Sequence, residues 1–483
     1  MTFKRRFTAH PIQVFYYLKP TLFILMIPLF RTLVMAFLRR EVNGLFLNEI
    51  ILAALIIAYS VVKWRRFNLL LTNDGIIINE GLFFSTTAEI KRERISSVQK
   101  VRYISDRLFG SVTLRINTES GRRGKADFEI KLSCRDAELV CNELFLKTNQ
   151  TTLRFSAVRV AIMAAASSSA FTGLIFIVPL IRQTGILLGT AIEELLLNRI
   201  NQINEAASRI IPPAINTITI IFLSLYAVAF LISFFKYVNF NVRLTNGTMR
   251  ITSGFLTRFD IVFKVKSVNS AIIEQTPLMR LLDRYLVRVS IGGYGDNKGY
   301  RAVVIPSARR REVKGLFESF FPNTQREKEK MKTSISIRPH KKSKSRFYFI
   351  PTAFLAVIFL GYLVLSNMFP VFSEILAFVL LVFTVIVLYY YNLAEHNYRN
   401  SEIRVSDIVY AKCSRWASTR EMFCEARRVG LIHITMWPPD FRYKTCNIRL
   451  TERSEGAETI AVKHIQYDEI KQQLADFYGF GEE

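Results

Sequence analysis

Long apolar runs recur along the chain in pairs, and each pair is followed by a segment in which apolar and polar positions alternate. An α-helix that crosses the hydrocarbon core of a bilayer needs about 20 predominantly apolar residues. On this basis we predict six membrane-spanning helices, near 20–38, 45–62, 157–181, 214–235, 347–369 and 371–393.

The segments that follow the three pairs have the pattern of short β-strands. They occupy 66–150, 239–323 and 396–480, and the first opens with TNDGIIINEG at 72–81, where an Asn-Asp-Gly turn favours a hairpin. Each segment ends with a strand and then an amphipathic helix, predicted to start near Arg135, Ser307 and Tyr467. Several strands closed by one helix predict a small barrel or sandwich.

The three β-rich segments are copies of one another, called here repeats one, two and three. Leu-Arg-Ile at 114–116 aligns with Val-Arg-Val at 287–289 after a displacement of 173 positions, and with Ile-Arg-Leu at 448–450 after 334. Apolar residues recur on both sides of the arginine, which predicts one buried face in every copy. Repeat three has diverged most, since Gly81 aligns with Arg415.

Repeat one resembles a known domain family. The order L-T-N-D-G, a strand, Gly81-Leu82, IKRERISSV at 90–98, a link ending in DRLFG and the strand VTLRINTESG is similar to the bacterial PH-like domain of the YdbS/YdbT type. The resemblance covers nearly the whole chain and implies three PH-like β-barrel units, each closed by a C-terminal helix, in a membrane setting. It also implies a hetero-complex with a shorter, single-unit PH-like membrane protein. It brings no catalytic residue and no established ligand.

The predicted fold class is therefore a multi-pass α-helical membrane protein with six spans and three cytosolic PH-like units. Two spans separate each unit from the next, so the units and both termini should share one side of the membrane, and the positive-inside rule selects the cytosol. The predicted organisation is a tail with spans one and two at 1–65, unit one at 66–150, spans three and four at 151–238 with an outer amphipathic segment at 182–211, unit two at 239–323, a basic linker at 324–346, spans five and six at 347–395, and the divergent unit three at 396–483.

The charge of the chain indicates a phosphate-bearing partner. Lys and Arg number 65 against 39 Asp and Glu, a formal net charge of +26. No nucleic-acid recognition motif is visible, so we expect the membrane and its anionic lipids as partners and no nucleic acid. Basic residues beside the spans serve as a topology signal, as lipid head-group ligands, or as both. The candidate head-group ligands are Lys63, Arg65, Arg66, Arg338, Lys341, Lys342, Lys344 and Arg346.

Residues for catalysis or metal binding form no recognisable pattern. The five cysteines contain no C-x-x-C pair, the histidines have no partner at i, i+4, and GGYGDNKGY at 292–300 lacks the spacing of a phosphate loop. We therefore expect no catalytic residue, no cofactor and no metal. Inside the predicted spans, Arg31 and Glu49 should lie at similar depth and form an ion pair.

The sequence thus predicts a non-enzymatic binding or assembly protein that presents three PH-like modules at the cytosolic leaflet, with a role in envelope maintenance or defence. The alternative is a transporter or lipid-handling channel formed by the six spans. Such proteins usually contain more intramembrane polarity and more broken helices than this chain does.

Overall fold

The computed structural model describes residues 3–19, 44–81, 86–119, 126–145, 151–168, 213–245, 247–292, 302–320, 336–415, 417–453 and 459–478. The chain divides into two compact bodies, each discontinuous in sequence. The first body contains Met1–Arg154, Val238–Ser267 and Ile291–Tyr300, and the second contains Phe155–Tyr237, Val268–Ser290 and Arg301–Glu483.

The first body is mainly antiparallel β structure. Its described strands are β1 (Phe3–Phe7), β2 (Asn68–Thr72), β3 (Gly75–Glu80), β4 (Thr86–Lys91), β5 (Ile95–Arg102), β6 (Ser111–Thr118), β7 (Phe128–Ser133), β8 (Thr151–Arg154), β9 (Asn241–Thr245), β10 (Thr248–Ser253) and β11 (Arg258–Lys264). They form one sheet in the order β1-β2-β3-β4 and another in the order β7-β6-β5-β11-β10-β9-β8. Its helices are α1 (Gly44–Arg66), α2 (Ile104–Phe109) and α3 (Cys134–Leu144).

The core of the first body lies between these sheets. Alternate residues of β2 and β3, such as Leu69 and Ile76, pack against Leu114 and Ile130 of the larger sheet. Helix α3 closes the end of the sandwich, because Val140 and its apolar neighbours one turn away join the same core.

The second body combines the remaining strands with eight α-helices among the described residues. The strands are β12 (Val268–Gln275), β13 (Tyr285–Ile291), β14 (Ala302–Ala308), β15 (Glu402–Arg404), β16 (Ile408–Arg415), β17 (Ser418–Glu425), β18 (Val429–Thr435), β19 (Thr445–Glu452) and β20 (Thr459–Gln466). Their sheets have the orders β14-β13-β12-β17-β16-β15 and β18-β19-β20. The helices are α4 (Ala157–Ser167), α5 (Pro213–Tyr237), α6 (Pro277–Leu281), α7 (Arg310–Phe320), α8 (Lys344–Met368) and α9 (Ser373–Arg399). The other two helices, α10 (Pro438–Tyr443) and α11 (Tyr467–Tyr478), lie within repeat three.

Helices α8 and α9 form an antiparallel hairpin that precedes repeat three in the chain. The two helices pack side by side, and Tyr348 of α8 stacks on Tyr391 of α9. Just before α8, the chain makes β-bridges from Ile337 to Ile403 and from Pro339 to Ile465. The start of α8 is therefore fixed to the same β structure that follows α9.

The buried face predicted from the repeats is confirmed. In all three copies the apolar residues on either side of the arginine are at most 2% exposed, namely Leu114, Ile116, Val287, Val289, Ile448 and Leu450. The arginines differ: Arg115 and Arg288 are partly buried and Arg449 is exposed.

The two large sheets cross the boundaries between repeats. Strand β5 of repeat one pairs with β11 of repeat two, and β12 of repeat two pairs with β17 of repeat three. Each of these sheets therefore combines the second half of one repeat with the first half of the next. The sequence indicated three consecutive units and gave no sign of this pairing.

A buried charge cluster stabilises the first of these junctions. Lys100 of β5 lies 2.8 Å from the carboxylate of Asp260 on β11, and Arg250 approaches the same carboxylate at 2.6 Å. Glu138 of α3 pairs with both cations. Burial alone would raise the pKa of Asp260, but hydrogen bonds from Arg250 and the charge of Lys100 lower it overall.

The prediction of six membrane-spanning helices is wrong. Among the described residues, one helix, Lys344–Met368, is long and apolar enough to cross a membrane, and most of the remaining elements are antiparallel strands. The run at 157–181 illustrates the physical reason. Its described part is the 11-residue α4, only roughly 16 Å long at about 1.5 Å per residue, and Val160 and Met163 are buried in protein. An apolar run indicates that its residues are kept away from water, but it does not indicate whether they are buried in a protein core or in lipid.

The transporter or channel alternative was based on six spans, and the described residues do not provide that basis. The predicted span at 20–38 and the amphipathic segment at 182–211 lie outside the described residues.

We expect Val287→Asp to unfold the second body, because it places an unpaired charge at a position that is 1% exposed. The cost should be about 3 kcal/mol or more. Arg288→Gln is the control, since Arg420 remains to pair with Glu274. Thermal unfolding of the full chain in nanodiscs distinguishes the two variants, and equal transitions would contradict the strand register.

Acidification should weaken the β5–β11 junction. The pKa of Asp260 is lower in the folded protein than in the unfolded chain, so its stabilising contribution is complete above the unfolded pKa of about 3.9 and is lost as the pH falls through the folded value. We expect the difference in melting temperature between wild type and Asp260→Asn to shrink from pH 5 to about pH 2. The exposed Asp468→Asn is the control, and a difference that stays constant over this range would contradict the role of Asp260.

Candidate functional site

The second body contains an open cavity of about 760 Å³ where the α8–α9 hairpin meets the β structure. One wall of the cavity comes from the helix hairpin and the other from the β-sheets. The β-bridges before α8 hold the hairpin against repeat three and so bring the two walls together. The lining residues are Ile272, Phe347, Ile350, Pro351, Tyr390, Leu393, Ala394, Asn397, Cys413, Ser414, Arg420, Met422, Arg449, Thr459, Ile460, Ala461 and Lys463.

The helical wall of the cavity is apolar. Phe347, Ile350 and Pro351 come from the first two turns of α8, and Tyr390 and Leu393 face them from α9. Pro351 is buried inside the helix, where it has no N–H to donate to the carbonyl four residues earlier. An acyl chain or another apolar group would find a dry surface on this side.

The sheet wall of the cavity is cationic. Arg420, Arg449 and Lys463 line it, and none of the lining residues is a carboxylate. Arg420 pairs with Glu274 at 3.2 Å, whereas Arg449 and Lys463 are exposed and take part in no ion pair within the described residues. An apolar wall opposite unneutralised cations suits an amphiphile with an anionic head group.

The repeats show how this positive charge arises. In repeat one, Arg115 pairs with Glu129 at 3.1 Å. After a displacement of 334 positions, Arg115 aligns with Arg449 and Glu129 with Lys463. In the structure of repeat three the arginine is kept, but the residue opposite it on the neighbouring strand is Ala461, so Arg449 has no acidic partner there.

A buried ion pair fixes the helix that carries the apolar wall. The guanidinium of Arg346, at the start of α8, contacts the carboxylate of Asp440, which is 2% exposed. Asp440 also accepts hydrogen bonds from the backbone N–H of Trp437 at 2.8 Å and from Thr445 at 3.0 Å. Nearby, burial and the charge of Arg346 lower the pKa of His464 to about 4, so this histidine is neutral at physiological pH.

Repeat one contains the same arrangement. Asp106 is fully buried and accepts from Ser111 at 2.8 Å and from Lys131 at 2.6 Å. Burial favours a raised pKa, but these two hydrogen bonds lower the pKa of Asp106 overall. Asp106 aligns with Asp440 at the 334-position displacement, so the sequence contained the signal for this acid, which our sequence reasoning did not use.

The predicted head-group ligands are placed in both bodies. Lys63 lies over the ring of Tyr17 at 4.6 Å, and Arg65 and Arg66 are exposed at the end of α1 in the first body. In the second body, three of the candidates are held by carboxylates: Arg338 by Glu402 at 3.3 Å, Lys344 by Glu395 at 3.1 Å, and Arg346 by Asp440.

Lys341 is exposed, and the side chain of Lys342 lies outside the described residues. The predicted intramembrane ion pair also lies outside the described residues, because Arg31 and the side chain of Glu49 are not described. The cavity cations Arg449 and Lys463 were not among the predicted ligands. The charge reversal from Glu129 to Lys463 could have indicated them.

One hydroxyl–imidazole contact adjoins the cavity. The Oγ atom of Ser414 lies 2.6 Å from Nδ1 of His396, and the other ring nitrogen faces Thr419 at 3.4 Å. Within the described residues no carboxylate contacts His396 to orient it as a base, as a hydrolytic triad requires. The contact is consistent with structural hydrogen bonding.

A smaller cavity of about 260 Å³ in the second body is polar. Its lining includes Glu421, which lies 3.5 Å from Lys412 and 3.9 Å from Arg310. Arg280 donates to the carbonyl of Ala417 at 2.6 Å. Each cation of that cavity thus has a polar partner, unlike Arg449 and Lys463, although one carboxylate does not neutralise all three of them.

The sandwich closed by a helix, its recurrence and the adjoining apolar hairpin define a protein with repeated PH-like units. Residues 22–145 and 186–319 match the family described as "Bacterial PH domain". Because these segments together cover more than half of the 483 residues, the chain belongs to the bacterial PH domain family.

The chain is similar to the UPF0699 transmembrane protein YdbT of Bacillus subtilis (strain 168). The two are 21% identical over 300 residues, which cover 55% of this chain and 58% of that protein. The similarity therefore spans less than two thirds of the length of YdbT. No solved structure is significantly similar to the chain. The resemblance to YdbT-type PH-like proteins is thus confirmed.

Replacing the buried acid should loosen the α8 start. Asp440→Asn keeps one side-chain oxygen to accept from the backbone N–H of Trp437, but it places an amide NH2 group beside Thr445 and Arg346. Arg346 is then partly buried without its counter-charge, at a cost of about 3 kcal/mol. Glu395→Gln is the control, because its partners Lys344 and Arg399 are exposed and such pairs contribute less than about 1 kcal/mol. Thermal unfolding in nanodiscs measures both, and equal effects would contradict the anchoring role.

Proposed function

We propose that this chain is a non-enzymatic, membrane-associated PH-like protein that binds an anionic phospholipid in the cavity between α8, α9 and repeat three. The observation that carries the proposal is the pair of unneutralised cations, Arg449 and Lys463, opposite an apolar wall at the start of a helix able to cross a membrane. The transmembrane description of YdbT supports the membrane setting.

The length of α8 supports a position of the cavity at the level of the lipid head groups. Its 25 residues extend roughly 37 Å at about 1.5 Å per residue, which exceeds the hydrocarbon core of about 30 Å. The cavity is lined by the first two turns of α8, so a membrane crossed by this helix would bring lipid head groups to the level of Arg449 and Lys463.

The distribution of charge around α8 supports a cytosolic position for repeat three. Five Lys or Arg residues lie between 338 and 346, whereas the turn after α8, FPVFS at 369–373, contains none. Juxtamembrane basic residues favour the cytosolic side. A membrane-crossing α8 would require its antiparallel partner α9 to cross as well, and repeat three would then lie on the side of the membrane where α8 begins.

The basic stretch before α8 has a defined part in this proposal. Three of its cations are already paired with carboxylates, and they would position α8 while Arg449 and Lys463 contact the lipid phosphate. Lys341, which is exposed, would add long-range attraction to the anionic leaflet.

Lipid retention by a double variant tests the proposal. Arg449→Gln with Lys463→Gln should weaken phosphatidylglycerol binding by about 2 kcal/mol, roughly thirtyfold, if each cation contributes about 1 kcal/mol. Native mass spectrometry of the full chain, titrated with phosphatidylglycerol and phosphatidylcholine, measures this directly. Binding of phosphatidylcholine should not change.

The matched control is Arg311→Gln with Lys314→Gln, the same charge change at exposed positions of α7 in the same body. An equal loss in both double variants would show that net charge, and not the cavity, attracts the lipid. Unchanged phosphatidylglycerol binding in the cavity variant would likewise overturn the proposal.

A further inference from the structure

The two junctions between repeats have the same strand register. At the first, Val98 lies opposite Val262, and Lys100 opposite Asp260. Strand β5 aligns with β12 after a displacement of 173 positions, and β11 aligns with β17 after a displacement of 161. Val98 and Val262 therefore correspond to Ala271 and Phe423, and these two residues lie opposite each other at the second junction. Every other pair of the two junctions that both registers include corresponds in the same way.

Pairing at the junctions buries the strands that take part. Seven of the eight residues of β5 are buried, as are five of the eight in β12 and four of the seven in β11. Such burial of edge strands removes unpaired N–H and C=O groups from solvent.

Two strands occupy the equivalent positions and remain at sheet edges. Strand β18 of repeat three corresponds to β5 and β12, and β4 of repeat one corresponds to β11 and β17. In the part of the chain that the structure describes, β18 pairs only with β19, and β4 only with β3. No residue of either strand is buried, and Leu431 is 58% exposed.

Both strands already have the geometry that their paired counterparts have. The bulge between Ile95 and Ser97 of β5 recurs between Val429 and Leu431 of β18. The pairing of β4 with β3 likewise has the register of the pairing of β11 with β10. Glu89 lies opposite Ile77, and the residues 173 positions later, Val262 and Arg250, also lie opposite each other.

We propose that β18 of one copy of this chain pairs with β4 of a second copy, as a third instance of the junction. The register carried over from the two existing junctions places Glu89 opposite Ile432, with Ala88 opposite His433 and Thr87 opposite Ile434. No two like charges face each other in this register.

The second copy is the occupant because this chain carries both complementary edges, one in each terminal repeat. The contact is heterologous, with different strands from each partner, so repetition gives rings or open chains and not a closed two-fold dimer. Pairing would cover Leu431 and satisfy the outer backbone groups of both strands. No residue of β4 or β18 lines the lipid cavity, so assembly and lipid binding are separable.

Cysteine cross-linking between differently tagged full-length chains tests the proposal. One chain carries Ala88→Cys and the other His433→Cys, both in a Cys134→Ser background because Cys134 is the exposed native cysteine among the described residues. Directly opposed residues have Cβ atoms about 4.5–5.5 Å apart, within reach of a disulfide after small adjustment. Oxidation in native membranes should link the two tags.

The off-register control is Lys91→Cys with Thr435→Cys, which the same register separates by five residues, or roughly 17 Å. It should cross-link at most about one tenth as much, since a disulfide cannot span that distance. Adding Leu431→Lys to the in-register pair should remove the link, whereas Leu281→Lys, at a residue that is 84% exposed on α6, should not.

Several outcomes would overturn the proposal. Equal linking of the in-register and control pairs would indicate random collision. Absence of linking between tags, with efficient linking when both cysteines are in one chain, would mean that the two edges close within a single molecule. Linking of either cysteine only to another protein, such as a shorter PH-like relative, would mean that the occupant is not a second copy.

Discussion

Antiparallel pairing between the second half of one repeat and the first half of the next is the interaction on which this structure depends. The β5–β11 and β12–β17 pairs join their halves into continuous sheets of seven and six strands. Without these pairs, four edge strands would be exposed, and Asp260 would lose the contact with Lys100. The compact bodies therefore do not coincide with repeats: each is assembled across a repeat boundary.

The candidate lipid cavity is a consequence of the second junction. Ile272, which lines the cavity, belongs to repeat two, as does Glu274, which holds Arg420. The other lining residues come from the helix hairpin and repeat three. A single isolated copy could not form this site. Its charge comes from divergence of repeat three, where Ala461 lies opposite Arg449 in the place that the acid Glu129 has opposite Arg115. Repetition of the unit thus provides the paired sheets that form the cavity, and sequence divergence of repeat three provides its positive charge.

Sequence patterns revealed what local periodicity encodes. Alternation around Arg115, Arg288 and Arg449 correctly predicted the buried faces, and the order of motifs in repeat one correctly indicated the family. Pairing between repeats could not be predicted in this way, because a strand's own sequence does not specify which edge it joins. The prediction of six spans was wrong because apolar residues such as Val160 and Met163 pack inside the protein. Arg449 and Lys463 were not predicted because the ligands were chosen by the density of basic residues beside predicted spans. Which cations lack an acidic partner depends on tertiary contacts that local sequence does not show.

Hydrogen–deuterium exchange of the full chain, at a concentration where it is monomeric, tests the central claim that repeats share sheets. The account predicts that the amides of β5, β11, β12 and β17 exchange slowly, at the rate set by unfolding of each body, while the outer amides of β4 and β18 exchange rapidly. If β5 and β12 exchanged as fast as β18, their equivalent in repeat three, the strands would be free edges and the repeats would fold as separate units.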